Sequence, residues 1–288
     1  MVFSDNNFMQ YIIGILKIPA LIILVSGIFI ENGLYAAEDN ERKTPLSGIY
    51  FKTDQGFTWG MLKDQRMSNL SYQGPGAVLN LGRRAQWSTY ISEWQFVRLQ
   101  YNYSRPAHRN TMVANPGAGF RYLHLRRLYT PGNHEIFAGA QALVTGNFRI
   151  APRLGNSFLF ADMIAEIRPQ MDLHFGSRFL WRDWNIELSM AASLMGYTVR
   201  IPEYGVSYEM DENGGTRIQG YEQQWLTPLN YARLSTGVFI RESFRGSTNP
   251  NWFRIGYMWD YYTMAGAHSL NMNNALHQLV LELYFRVR

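Results

Sequence analysis

One histidine and two carboxylates share a face of a single extended segment, where they could carry out acid–base chemistry. His174, Asp172 and Glu166 all fall at even positions of that segment. Side chains point alternately to the two faces of a β-strand, so the three would project on the same side. A histidine beside carboxylates can transfer protons during the hydrolysis of a lipid or a peptide. These three residues are therefore the candidate catalytic group of the chain.

Other features that such catalysis needs are missing from the sequence. No serine nucleophile is marked by a local motif, and no spacing of His, Asp and Glu is typical of a metal site. The chain has no cysteine, which excludes disulfides and thiolate ligands. We therefore predict no cofactor and no metal. The sequence favours a non-enzymatic protein, with a hydrolase of lipid or peptide as the alternative.

The segment that carries the three residues, Leu159–Phe175, has the clearest alternation in the chain. Its odd positions are almost all apolar, among them Met163, Ile167 and Met171, whereas its even positions are mostly charged or polar. The alternation continues far beyond the roughly five or six residues of a usual globular strand. One face must therefore meet an apolar medium, which is either a protein core or a membrane.

The same alternation recurs along the chain in hairpin order, and the best segments reach the roughly nine to eleven residues of a tilted transmembrane strand. The predicted strands are 48–61, 76–84, 94–104, 118–128, 135–148, 159–175, 184–194, 231–245, 252–262 and 275–287. No helical period is long enough to matter. We predict an all-β, single-domain, antiparallel up-and-down transmembrane β-barrel of about ten strands, with eight or twelve as alternatives.

Connections between the predicted strands alternate in length. Tight turns are predicted at Thr130–Asn133 and Gly176–Ser177, and long loops at Arg105–Pro116 and Tyr197–Leu229. A further loop is predicted to end at Gly74–Gly76. Short turns on one side and long loops on the other are typical of outer-membrane barrels, and less so of a secreted soluble β protein, the second alternative.

This combination resembles the bacterial outer-membrane β-barrel proteins over residues 48–288. The closing Leu-Tyr-Phe-Arg-Val resembles their C-terminal assembly signal, and residues 63–74 resemble a segment of uncharacterised Bacteroidetes-type barrels. The resemblance implies a location in the outer membrane of a Gram-negative-type bacterium, with both termini in the periplasm. It also implies lipopolysaccharide, the barrel assembly machinery and an envelope protein as partners.

The N-terminus is predicted to be a targeting segment. Lys17, the apolar run Ile18–Ile30 and the small residues at Ala36–Ala37 indicate a secretory signal peptide over residues 1–36. Residues 37–47 are polar and are predicted to be a flexible mature N-terminus. Arginines are spaced singly along the remaining strands instead of clustered, so we predict no nucleic-acid partner.

If the apolar face meets lipid, the opposite face lines a lumen with as many cations as carboxylates. The predicted lumen charges are Arg98, Asp162, Glu166, Arg168, Asp172, Glu187, Arg233, Arg241, Arg254, Asp260, Glu282 and Arg286. A wide selective pore usually shows one sign in excess. A balanced set in a small barrel predicts ion pairs that fill the interior. We therefore predict a narrow channel or transport protein, or an envelope scaffold.

The long predicted loop carries four aromatic residues that could cover the barrel mouth or bind a partner. They are Tyr204, Tyr208, Tyr221 and Trp225. The acidic run Glu209–Gly215 lies in the same loop but lacks the ligand spacing of a calcium loop. His277 falls on the apolar face near an outer strand end.

Overall fold

A computed structural model of the protein describes most of the chain after its N-terminal region. The described residues are 47–65, 67, 69–106, 112–129, 134–151, 159–179, 182–200, 207–210, 216–219, 222–244, 251–265 and 271–287. Within these ranges, no helix is long and apolar enough to cross a membrane. The predicted signal peptide and most of the predicted mature N-terminus lie outside the described residues.

The alternating segments of the sequence form long strands. The strands are β1 (Gly48–Asp64), β2 (Tyr72–Gln86), β3 (Tyr90–Ser104), β4 (Val113–Tyr129), β5 (His134–Ile150), β6 (Leu159–Phe179), β7 (Arg182–Ala192), β8 (Met195–Arg200), β9 (Ser207–Met210), β10 (Thr216–Gln219), β11 (Glu222–Leu226), β12 (Tyr231–Ser243), β13 (Trp252–Met264) and β14 (Met272–Arg286). β9 and β10 form a separate hairpin between β8 and β11.

Ten of the strands close into an antiparallel barrel. β1 to β7 pair in sequence, β7 pairs with β12, and β12, β13 and β14 follow before β14 pairs with β1. Closure satisfies the backbone groups that an open sheet edge would leave unpaired. The predicted ten-stranded up-and-down barrel is confirmed.

The wall continues above β7 and β12, where the sequence predicted a loop. β8 extends β7 along β6 after a bulge at Ser193–Leu194, and β11 pairs with β8. β11 joins β12 through the inserted turn Thr227–Asn230. The prediction of an unbroken loop from Tyr197 to Leu229 is therefore wrong in part. Its cause is the bulge, which shifts the phase of the alternation.

Two predicted turns are strand instead. Gly176 and Ser177 lie inside β6, opposite Asn185 and Trp184 of β7. The segment Gly74–Gly76 lies inside β2, between β1 and β3.

The glycine at position 76 has a packing role in that strand. A Cβ atom there would overlap the Asn102 side chain and the Tyr101 carbonyl oxygen of β3. Glycine thus allows the two strands to approach each other closely. The sequence pattern Gly-Pro-Gly had instead suggested a turn.

The two ends of the barrel differ. One, the terminal end, carries Gly48, Arg286 and the connections 87–89, 130–133, 180–181 and 244–251. The other, the loop end, carries the connections 65–71, 105–112, 151–158, 201–221 and 265–271. Connections are shorter at the terminal end, apart from 244–251, as the sequence predicted.

The outer surface of the barrel is apolar between these ends. Phe57, Ile167, Ile255 and Leu279 all expose between 47% and 57% of their surface. Exposed Trp87 and Trp94 lie toward the terminal end, and exposed Trp59, Tyr101 and Tyr103 lie toward the loop end. An apolar band flanked by aromatic residues is typical of membrane barrels and unlike the surface of a soluble β-sandwich.

Candidate functional site: the charged interior of the barrel

The inward faces of the strands place eleven of the twelve predicted lumen charges inside the barrel. Arg286 is the exception, because it lies exposed near the terminal end of β14. The structure adds eight further inward charges that the sequence analysis did not assign. These are Lys52, Asp54, Asp64, Arg84, Glu93, Arg121, Arg149 and Arg200. The inward groups are arranged in three layers along the barrel axis.

The first of these, the terminal layer, is organised around Lys52 and Glu93, which are almost fully buried. The Lys52 Nζ atom lies 2.8 Å from Glu93, 3.2 Å from Asp54 and 3.1 Å from Glu282. Glu93 also pairs with Arg121 and, at 3.4 Å, with Arg84. These ion pairs therefore link five consecutive strands of the wall, β4, β3, β2, β1 and β14.

The same layer continues around the inside of the wall, from β14 to β7, through Arg254 of β13. Its Nε atom lies 2.6 Å from Glu282, and its Nη1 atom pairs with Glu187. Glu187 in turn accepts a 3.0 Å bond from Arg241. Each lysine and arginine of the terminal layer thus has a carboxylate partner, which offsets the cost of burying its charge.

Aromatic rings lie beside the terminal layer at the terminal end. Trp252 and Tyr284 stack with ring centroids 3.6 Å apart, and Tyr50 meets both rings edge-on. The Arg84 guanidinium lies 5.5 Å from the centroids of both stacked rings. All three aromatic side chains are fully buried, so they occupy part of the lumen at this end.

The middle layer is built on Arg233. Its guanidinium binds Asp260 through two nitrogen atoms and lies 2.7 Å from Glu166. Ser235 donates a hydrogen bond to Asp260, and Arg168 donates one to Ser235. Arg98 lies beside this group.

The third, the loop layer, is buried under an apolar roof. Arg149 bonds to Asp162 and, at 3.0 Å, to Asp64, and Arg200 lies 3.5 Å from Asp64. Apolar side chains from many strands pack above and around these groups. The roof consists of Leu62, Met67, Tyr72, Val113, Ala151, Phe160, Ile164, Leu226, Tyr231, Tyr262, Met264 and Met272.

Among the described residues, the spaces between these layers include two small cavities. One of about 40 Å³ lies between the terminal and middle layers, and one of about 20 Å³ lies beside Arg233 and Asp260. A single water needs about 10–15 Å³ of such space. Within the described residues, the interior therefore has room for a few water-sized molecules.

The structure does not bring the three candidate catalytic residues together. Glu166 belongs to the middle layer, and Asp172 accepts a 2.8 Å bond from Gln170. His174 is 4% exposed and packs on the Phe137 ring at 4.9 Å.

The nearest carboxylate to the His174 ring is that of Glu187, 3.9 Å away. Neither ring nitrogen of His174 has a hydrogen-bond partner among the described residues. The ring is therefore enclosed by the barrel and has no partner that would take or give a proton.

The aromatic residues of the predicted loop are only partly described. Trp225 lies in β11, is 68% exposed and packs edge-on against Tyr197 of β8. Tyr208 lies in β9, but its side chain is outside the described part, as are Tyr204 and Tyr221. Most of the acidic run Glu209–Gly215 is outside it too.

His277 lies on the outward face in a row with two tryptophans. Its register partners are Trp59 on β1 and Trp259 on β13. The Tyr257 hydroxyl lies 2.5 Å from its Nδ1 atom. Within the described chain, no group of three or more His, Asp or Glu side chains is placed to hold a metal ion.

Comparison with known proteins gives similarity in architecture alone. No family model and no curated protein matches the sequence. The outer membrane protease OmpT from Escherichia coli is 9% identical with a TM-score of 0.43, covering 83% of this chain and 95% of its own. The translocator domain of autotransporter NalP from Neisseria meningitidis is 8% identical with a TM-score of 0.40, covering 94% and 98%. Neisserial surface protein A is 11% identical with a TM-score of 0.29, covering 83% and 97%.

These three solved structures are bacterial barrels of the outer-membrane class, but the values are too low to transfer any role. The barrel assignment therefore rests on the strand pairing of this chain. The Bacteroidetes-type affinity of residues 63–74 stays a prediction.

Proposed function

We propose that the protein is an integral outer-membrane barrel that acts as an envelope scaffold and not as an open pore. Residues 1–36 direct export and are removed, residues 37–47 lead into the barrel, and both termini face the periplasm. The apolar outer band with its two aromatic groups supports the membrane location. The placement of the short turns at the terminal end supports the orientation.

The filled interior is the observation that carries the choice of scaffold over pore. Buried aromatic rings occupy the terminal end, apolar side chains pack at the loop end, and the ion pairs of Arg149 and Arg200 with Asp64 cross the lumen in the loop layer. Conduction needs a continuous polar path with sites that an ion can enter and leave. The two cavities of about 40 and 20 Å³ provide no such path through the described residues.

A scaffold acts through its surface, and this barrel presents a distinctive loop end. The wall rises beyond β7 and β12 as β8 and β11, and the hairpin of β9 and β10 is inserted there. Trp225 and Leu229 are exposed on this part of the chain. Lipopolysaccharide and an envelope protein are the partners that this surface would meet, and the barrel assembly machinery would insert it.

Planar-bilayer recording tests the scaffold function directly. Heat-modifiable gel mobility and flotation with vesicles first establish that the protein is folded and inserted. Inserted protein is then expected to give no conductance steps, because the lumen is occluded. Steady ohmic steps from inserted wild-type protein would overturn the proposal in favour of a narrow channel.

A matched pair of arginine substitutions tests the membrane location. Leu279→Arg places a charge in the apolar band and is expected to lower stability in bilayers by about 2–4 kcal/mol. Leu229→Arg changes a residue that is 98% exposed in the inserted turn near the loop end, so its cost is expected to stay below about 1 kcal/mol. Equal effects, or extraction of the wild type as a soluble monomer, would contradict the membrane location.

A hydrolase receives no comparable support. His174 is enclosed by the wall and packs on Phe137, and Asp172 and Glu166 have other partners.

A further inference from the structure

The middle layer holds more positive than negative charge among the described residues. Three guanidinium groups, those of Arg98, Arg168 and Arg233, lie there with the carboxylates of Asp260 and Glu166. Both carboxylates are engaged by Arg233. This layer therefore differs from the terminal layer, where each cation has a carboxylate of its own or shares one.

In this layer, Arg168 and Arg98 are the cations that have no carboxylate partner among the described residues. Arg168 donates to the Ser235 hydroxyl, and its Nε atom is buried with no partner among the described residues. Within the same part of the chain, no carboxylate lies within 4 Å of the Arg98 guanidinium. Leaving such charges uncompensated inside a protein is expensive, so the layer calls for a further negative charge.

A cavity of about 20 Å³ lies at the required place. Arg98 and Arg233 line it, and the side chains of Gln100, Thr145 and Asn147 contribute amide and hydroxyl groups. Asp260 also lines the cavity, but its oxygen atoms already accept hydrogen bonds from Arg233 and Ser235. The volume exceeds the roughly 10–15 Å³ that one water needs, which suits a single small ion.

We propose that this cavity is a binding site for one small monovalent anion of the halide class, with Arg98 as its principal ligand. The guanidinium supplies charge and directed N–H donors, and the neutral side chains complete the shell. Bound anion would bring the middle layer closer to neutrality. The proposal does not depend on the membrane location or on the scaffold function, because it concerns only the interior of the folded barrel.

Melting of the folded protein in detergent tests the site. Wild-type protein is compared in sodium chloride, sodium bromide and sodium gluconate at equal ionic strength, because gluconate is too large for the cavity. Specific binding to the folded state is expected to raise the melting temperature in chloride or bromide by at least about 2 °C, increasing with halide concentration. Equal melting in all three salts would overturn the site.

Two arginine variants test whether the effect depends on Arg98, which lines both cavities. Arg98→Met is expected to abolish the difference between halide and gluconate. Arg286→Met removes an exposed arginine at the terminal end and is expected to keep the full difference. A halide effect that persists in folded Arg98→Met would overturn the assignment to this cavity.

A crystal grown from wild-type protein in bromide provides a measurement that does not depend on either variant folding. An anomalous peak is expected between Arg98 and Thr145. Electron density for a water there, without an anomalous peak, would show that the cavity holds solvent alone and would overturn the proposal.

Discussion

The terminal and middle layers use the same residue types but differ in how completely their charges are paired. In the terminal layer, Lys52 lies within 3.2 Å of three carboxylates, and Arg84 and Arg121 share Glu93. In the middle layer, Arg233 takes both carboxylates. In the terminal layer every cation has a carboxylate partner, whereas in the middle layer Arg98 and Arg168 have none among the described residues.

This difference indicates what each layer contributes. A network in which each buried charge depends on a shared partner is intolerant of losing one member, because the remaining charges stay buried. In a layer that holds arginines without a carboxylate partner, one of them can take the place of an arginine that is lost. Substitutions in the terminal layer are therefore expected to lower the stability of the barrel strongly. Substitutions in the middle layer are expected to lower it less, and this layer can accept a ligand.

Removing Lys52 is expected to have the largest effect. Lys52→Met leaves the carboxylates of Asp54, Glu93 and Glu282 close together without the cation between them. Breaking a buried ion pair typically costs about 3–5 kcal/mol, and we expect a loss of that size here. Urea unfolding of the protein in lipid vesicles, followed by heat-modifiable mobility, measures the change.

The control for Lys52→Met is an ion pair near the terminal end with greater exposure. Glu135 accepts a 3.2 Å bond from Arg127, and their side chains are 25% and 29% exposed. Glu135→Gln is expected to cost at most about 1 kcal/mol, because water screens this pair. If both variants lose the same stability, the interior network does not fix the barrel.

Removing Arg233 is expected to cost less than removing Lys52, although it engages two carboxylates. In Arg233→Met, the guanidinium groups of Arg98 and Arg168 remain in the layer and can approach Asp260. We expect a loss of about 1–3 kcal/mol in the same unfolding assay. A loss as large as that of Lys52→Met would show that the surplus arginines cannot compensate.

His174→Leu is expected to change stability by less than about 1 kcal/mol. The ring has no hydrogen-bond partner among the described residues and packs on Phe137, so an apolar side chain of similar size can replace it. Assays of the purified barrel on lipid and peptide substrates are expected to give the same result for wild type and variant. Activity that the variant loses would restore the hydrolase alternative.

Much of the barrel could be predicted from the sequence where the alternation is unbroken. β13 and β14 keep one phase, as does β6 as far as His174, so their faces follow from residue parity. Bulges at Gln95–Arg98 and at Ser193–Leu194 change that phase. The second bulge made β8 hard to recognise as a strand, because its alternation is out of step with that of β7. In β4 the difficulty was different. Leu123 and Leu125 are apolar residues on the inward face, so the two faces of the strand show little contrast in polarity.

The charges of the site were predicted only where the strand pattern was clear. Lys52 and Asp54 were missed because Thr53 and Gln55 make the outward face of β1 less apolar, and the predicted strand had weak contrast. The pairing of Lys52 with Glu93 was not predictable from spacing at all. It depends on the register in which β1 and β3 flank β2, and local sequence does not give that register.

The smallest expected effect is the coupling energy between Arg98 and Arg233. It tests whether the additional arginines of the middle layer can replace Arg233 as a partner of the carboxylates. If Arg98 compensates for the loss of Arg233, the Arg98→Met and Arg233→Met variants together should cost more than the sum of the two single changes. Residues that share partners typically couple by about 0.5–3 kcal/mol, and we expect a value near the low end in gluconate.

Lys52→Met combined with Arg98→Met is the matched control for this coupling. These residues share no carboxylate among the described pairs, so their costs are expected to add within about 0.3 kcal/mol. Additive costs for Arg98 and Arg233 as well would mean that Arg98 never reaches Asp260. A small loss of stability in Arg233→Met would then have a cause other than compensation by Arg98.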